Sequence, residues 1–157
     1  MRTRVPLYLF VVVLAAVACK DSGPARTEVR IDGLVVRAEL ATTVEERAQG
    51  LSGRGSLPED GGMLFVFPEE QRPAFWMRDM RFPLDFIWIS RDYRVAALTE
   101  NVPPPDAGLA PEDLPRYRPD VPVRYVLEVN AGIVREYGVQ AGDAVTFDPD
   151  VLVEATP

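Results

Sequence analysis

From Val29 onward the chain never sustains one apolar rhythm for long: its apolar residues come in short runs, each soon closed by glycine, proline or a charged turn. Runs that short, alternating with polar residues, build strands rather than long helices. In Leu34–Ala41 the alternation is clean, with Leu34, Val36, Ala38 and Leu40 on one face and Arg37 and Glu39 on the other. Extended segments are predicted at 29–41 in two pieces around Asp32-Gly33, then at 63–67, 74–77, 84–90, 94–98, 123–129 and 145–147, with an edge strand at 151–153. Thr43-Val44-Glu45-Glu46 has the form of a capping box, in which the hydroxyl and the carboxylate each satisfy a free backbone donor at a helix start. Val44, Ala48 and Leu51 follow at helical spacing, and Gly50 or Gly53 can end that helix. A second short helix carries Ile133, Val134 and Tyr137, capped by Asn130 and ended at Gly138. Seven of the 15 prolines fall between Pro103 and Pro122, which forbids a regular helix or central strand there and predicts a long loop. The expected fold is a single compact α+β domain over 28–154. It is mainly antiparallel and β-rich, a folded or barrel-like sheet of about seven to nine strands with two short helices.

The segment ahead of that domain reads as an address. Arg2 and Arg4 precede an apolar run from Val5 to Ala18, shorter than the ~20 residues of a spanning helix and suited to a secretory h-region. Ala16-Val17-Ala18 before Cys19 resembles a bacterial lipoprotein signal peptide, with Ala16 where leucine is usual. The expectation is a signal peptide over 1–18 and, over 19–27, a lipidated Cys19 with a flexible tether; plain cleavage after Ala18 or an uncleaved anchor is the alternative. Lys20 stands where an aspartate would mark inner-membrane retention, so the expected place is the outer membrane, facing the periplasm, in a Gram-negative cell. The expected partners are a membrane, through the lipidated terminus, and a small ligand or envelope protein.

Composition narrows the chemistry. There is no histidine and one cysteine, which excludes a His-based triad, an imidazole base, an internal disulfide and a His- or Cys-rich metal site. No metal or other cofactor is expected, since the acidic residues of the proline-rich loop have no ordered ligand spacing and the glycines lack a phosphate-cradling order. The chain carries 17 basic against 24 acidic residues, a net −7, and processing at Cys19 would remove two arginines to leave −9. That balance argues against general nucleic-acid binding.

Five residues are candidates for ligand binding. Trp76 offers an aromatic platform for a sugar ring or an acyl chain, with Arg78 beside it to hold a carboxylate or phosphate; core burial of Trp76 is the competing reading. Arg47 and Arg54 flank the end of the first helix and can form an anion clamp, or pair with Glu45, Glu46, Glu59 or Asp60. Asp85 sits inside an apolar strand, where a carboxyl is either an acid-base group or an acceptor for backbone amides or an arginine. Asp85 could pair with Glu59, Asp60 or Glu128 as in glycosidases, but no spacing selects a partner.

Arg47-Ala-Gln-Gly-Leu-Ser-Gly-Arg54, Gly61-Gly-Met-Leu-Phe-Val-Phe67, Phe75-Trp-Met77 and Pro83-Leu-Asp-Phe-Ile87 together resemble the domain-of-unknown-function 192 family, in its order and spacing. Val123-Arg-Tyr-Val-Leu-Glu-Val129 and Val139-Gln-Ala-Gly-Asp143 are similar to its closing elements. Ser52 replaces the family's usual Met, and Arg78-Asp79-Met80 its usual Lys-Asn-Thr. The resemblance implies a compact β-rich fold and frequent export or lipid anchoring, and carries no established activity. Without a recognisable catalytic set, a binding module at 47–54 and 75–85 is expected ahead of a carboxylate-dependent enzyme acting on an envelope glycan, or an assembly or scaffold protein using the proline-rich loop.

Overall fold

The computed structural model describes residues 24–147. The signal peptide, Cys19, most of the tether and the 151–153 strand expected from the sequence lie outside the described residues. Along the chain run β1 (Arg26–Ile31), β2 (Leu34–Ala41), α1 (Val44–Gln49), β3 (Gly61–Gln71), β4 (Leu84–Ile89), β5 (Val95–Val102), β6 (Val123–Asn130), α2 (Ile133–Tyr137) and β7 (Val145–Thr146). The seven strands form one sheet in the order β5-β4-β6-β3-β2-β1-β7. All pairs are antiparallel except β2 with β3. A parallel pair needs a crossover rather than a hairpin, and α1 with residues 50–60 supplies it, which carries this helix across one face of the sheet.

The sheet curls into a half-barrel. Edge strand β7 pairs with β1 and also reaches the start of β5, where Val145 N–H donates to Tyr93 O and Val95 N–H to Asp143 O, both at 2.9 Å. Alternation along each strand then divides the apolar side chains into two cores. The concave core holds Val29, Ile31, Leu64, Ile87, Tyr125, Leu127 and both edge residues, Val95 and Val145. The convex core holds Met63, Phe65, Phe86, Trp88 and Val126 of the sheet under Leu51, Leu57, Phe75, Met77 and Met80. The domain is mainly β with two short helices, as expected, and none of its described helices is long and apolar enough to cross a membrane.

Three local expectations need correction. Residues 74–77 are not a strand: only Phe75 pairs, with Tyr117, because Pro73 removes a donor before it and Asp79 turns the chain at φ +56° after it. Strand β3 does not stop at Pro68 but runs on to Gln71. A register irregularity between Val66 and Gln71 leaves the missing N–H of Pro68 harmless. Asn130 does not cap α2. It ends β6, and its side-chain amide donates to the carbonyls of Leu57 and Pro58, while the helix begins at Gly132 with φ +94°.

Candidate functional site

Helix α1 builds one wall of a cleft on the convex face. Thr43 Oγ1 accepts from Glu46 N–H at 3.1 Å and the Glu46 carboxylate accepts from Thr43 N–H at 2.9 Å, the capping box read from the sequence. These donors, with Thr42 N–H, hold the Glu46 carboxyl below its ordinary range. Arg47 leans inward from the same helix, donating to Thr42 O and to Val66 O of β3, with its guanidinium 5.4 Å from the Phe67 ring. Gly50 ends the helix at φ +49°, and a Cβ there would stand 3.2 Å from the Phe65 ring. Glycine both makes the turn and gives Phe65 its place in the cleft.

The opposite wall is the 73–80 segment. Phe75 is its anchor, edge-on to Phe65 at 4.8 Å and to Trp88 at 5.4 Å, and hydrogen-bonded in both directions to the Tyr117 backbone of the proline-rich loop. Period-two alternation buries Phe75 and Met77 and leaves Trp76 and Arg78 half-buried on the other side. Trp76 is therefore a wall of the cleft and not core. Two guanidinium groups lie over its indole, Arg116 at 3.6 Å and Arg78 at 4.8 Å. Ser52 and Arg78, the two places where the motifs depart from the family pattern, meet here: Ser52 Oγ donates to Arg78 O at 2.9 Å.

Between the walls lies a cleft of about 120 Å³, with Phe65, Phe67 and Phe75 around it and Glu128 of β6 at its floor. Glu128 pairs in register with Phe86 and Met63, so the pleat aims its carboxyl into the convex aromatic core. The residue is 5% exposed, and none of the hydrogen bonds among the described residues reaches its carboxyl. Burial pushes its pKa up to about 8, against a smaller opposing pull from Arg54. At neutral pH it is a carboxylic acid, able to donate one hydrogen bond and accept another.

The five residues singled out in the sequence do not converge. Arg47 and Trp76 line the cleft, and Arg78 reaches it through the indole. Arg54 is held away by Glu39 of β2 in a two-pronged pair, at 3.0 and 2.6 Å, which keeps the Glu39 carboxyl below its usual range. None of the four acids considered as its partners is the one it takes, and it offers no clamp with Arg47. Asp85 is 0% exposed and accepts three backbone N–H groups, from Asn101 at 2.7 Å, Gly132 at 2.9 Å and Val134 at 3.0 Å. It thus caps α2 from a neighbouring strand. Phe86 is the residue opposite Glu128, so Asp85 falls on the concave side and cannot share a substrate with Glu128. The sequence named Glu128 only as one of three possible carboxylate partners of Asp85, not as a site residue in its own right, and it did not bring out Arg116. The signal that singled out Asp85, a carboxyl inside an apolar strand, is equally present in Val126-Leu-Glu-Val129, whereas nothing in the sequence brings Arg116 to Trp76. No group of His, Cys, Asp or Glu able to hold a metal occurs among the described residues.

The model of the DUF192 family, described as uncharacterized ACR, matches residues 27–147. No curated protein matches the chain. Among solved structures, the chain is similar to a Sinorhizobium meliloti 1021 protein described as a candidate transcription regulator, at 32% identity and TM-score 0.71, covering 81% of this chain and 97% of that one. It is also similar to a Novosphingobium aromaticivorans DSM 12444 protein of unknown function, at 32% identity and TM-score 0.69, over 81% of this chain and 89% of that one.

Proposed function

We propose, for a chain that belongs to the DUF192 family, that it is a lipid-anchored, envelope-facing module binding a small ligand in the aromatic cleft above Glu128. The observation that carries the reading is the Glu128 carboxyl itself. It makes no hydrogen bond among the described residues and lines an open aromatic cleft, where a ligand can meet it. The anchor rests on the Ala-Val-Ala-Cys sequence at 16–19 and on the polar tether after it.

Binding is favoured over glycan hydrolysis because Glu128 is the only carboxyl among the described residues lining the cleft, whereas the two-carboxylate mechanism needs a second about 5–9 Å away. It is favoured over scaffolding because the proline-rich loop uses Leu114 and Tyr117 to pack against its own domain. The regulator description of the Sinorhizobium protein lends little to this chain, whose excess of acidic residues suits DNA poorly.

The test compares the full chain with Ala74→Trp, which fills the mouth from an exposed wall position, after incubation with small-molecule extracts of the envelope. Native mass spectrometry should find a retained compound on the wild type and none on the variant; equal retention, or none on either, rejects the cleft. For the address, Cys19→Ala should abolish partitioning into detergent, and unchanged partitioning rejects lipidation.

A further inference from the structure

We infer that the ligand of this cleft is an anion with a small apolar body, a single ring or its equivalent, seated on Phe65, Phe67 and Phe75 while its carboxylate or phosphate meets Arg116, Arg78 and Arg47 at the mouth. The inference rests on the cleft reading above and adds the class of molecule.

Size sets the apolar part. A cleft of about 120 Å³ is close to the ~150 Å³ apolar cavity that accepts benzene, so one ring fills it and anything larger projects past Trp76. Charge sets the rest. In a chain with seven more acidic than basic residues, Arg47 nevertheless lines the cleft, and Arg116 and Arg78 lie over its Trp76 wall. Neither Arg47 nor Arg116 forms an ion pair with a described carboxylate, and Arg78 has only the exposed Asp79 at 3.9 Å. The Arg78 Nε–H is buried and has no hydrogen-bond partner among the described residues. Arg124 and Arg118 add to the same side: one donates to Phe67 O in the cleft wall, the other to Arg72 O next to Pro73. Of the two acids on α1, Glu46 is turned back onto Thr42 and Thr43 and Glu45 is exposed in the first turn, while Glu69 and Glu70, past Phe67 on β3, do not line the cleft. Both guanidinium groups lie over the Trp76 ring; Arg78 also donates to Ala48 O at 3.4 Å, whereas Arg116 makes no hydrogen bond among the described residues and is the one whose N–H groups are free for an anion. The floor is compatible with this. A protonated Glu128 presents no negative charge to the ligand and can hydrogen-bond to it.

Three probes with the same ring separate the outcomes: phenylacetate, benzyl alcohol and benzylamine, titrated calorimetrically at pH 6.5 into the full chain in phosphatidylcholine nanodiscs, with empty nanodiscs as blank. Phenylacetate should bind roughly tenfold or more tightly than benzyl alcohol, and benzylamine most weakly. Arg116→Gln, at an exposed loop position, should remove most of the phenylacetate advantage and leave benzyl alcohol unchanged. If benzyl alcohol or benzylamine binds as well as phenylacetate, or Arg116→Gln leaves phenylacetate binding unchanged, the anion assignment is wrong while the cleft stands. If none of the three binds, the cleft reading falls with it.

Discussion

Asp85 and Glu128 are two buried carboxyls on adjacent strands, one residue out of register, and the sheet gives them opposite fates. Asp85 faces the concave side, where the start of α2 and the β5 end bring three N–H donors to its two oxygens. Glu128 faces the convex side, where its neighbours are Met63, Phe65 and Phe86, and its carboxyl meets only the cleft. One satisfied carboxyl holds the fold together. The other makes no hydrogen bond among the described residues and opens onto the cleft. A buried acid is therefore informative only together with its donors: the same residue class is a helix cap on one side of a sheet and, in the function proposed here, a recognition group on the other.

Four changes would break or sharpen that contrast. Largest among the substitutions is Asp85→Asn, which sets an amide NH₂ against backbone donors and should cost about 3 kcal/mol in urea unfolding. Glu128→Gln, the same isosteric exchange across the sheet, should change stability by less than about 1 kcal/mol at pH 5. Equal costs at the two sites would erase the distinction.

Next is the pH profile. Glu128 titrates at about 8 in the folded chain against an ordinary 4.5, so between those values the folded state holds a proton that the unfolded state has lost. Its contribution to stability is complete below about pH 4.5 and is lost as pH rises through about 8, at up to about 1.4 kcal/mol per pH unit. Thermal unfolding of the wild type should show this decline, and Glu128→Gln should flatten it; parallel profiles would place the carboxyl in a better-solvated site.

Arg54→Ala should cost about 1 kcal/mol at pH 7. Glu39 is lowered by that guanidinium, so the wild-type advantage is full above about pH 4.5 and should close only as pH falls on through the lower folded-state value, beneath which Glu39 is protonated in both states. The same variant removes the cation that holds Glu128 down, and should push the Glu128-dependent decline to higher pH. Smallest is Thr43→Ala, at about 0.5 kcal/mol by chemical denaturation, because α1 is short and its capping box is exposed.

Much of this was legible from local pattern. The Leu34–Leu40 alternation, the Thr43–Glu46 box, the helix end at Gly50 and the irregular stretch between Pro103 and Pro122 depend on neighbours in sequence, and all stand in the structure. The ordered motifs likewise carried the family across nearly all of the described chain. The failures were long-range. Asn130 looked like a helix cap because its type suits one, but the cap came from Asp85, 47 residues away from Gly132. Arg54 had four nearby acids to choose from in sequence and took Glu39 instead, because β2 lies beside the loop that carries it.

What the sequence alone determined is the kind of chain this is: a small β-rich domain with no histidine and one cysteine, hence a narrow set of available chemistries. It also supplied the cleft's parts, aromatic residues, arginines and two carboxyls in apolar strands. Only the tertiary structure decided which carboxyl does what. Strand alternation puts a side chain on one face or the other, but the donors waiting on each face come from remote segments, and among the described residues they stand beside Asp85 and not beside Glu128, which is what separates the structural acid from the one that opens onto the cleft.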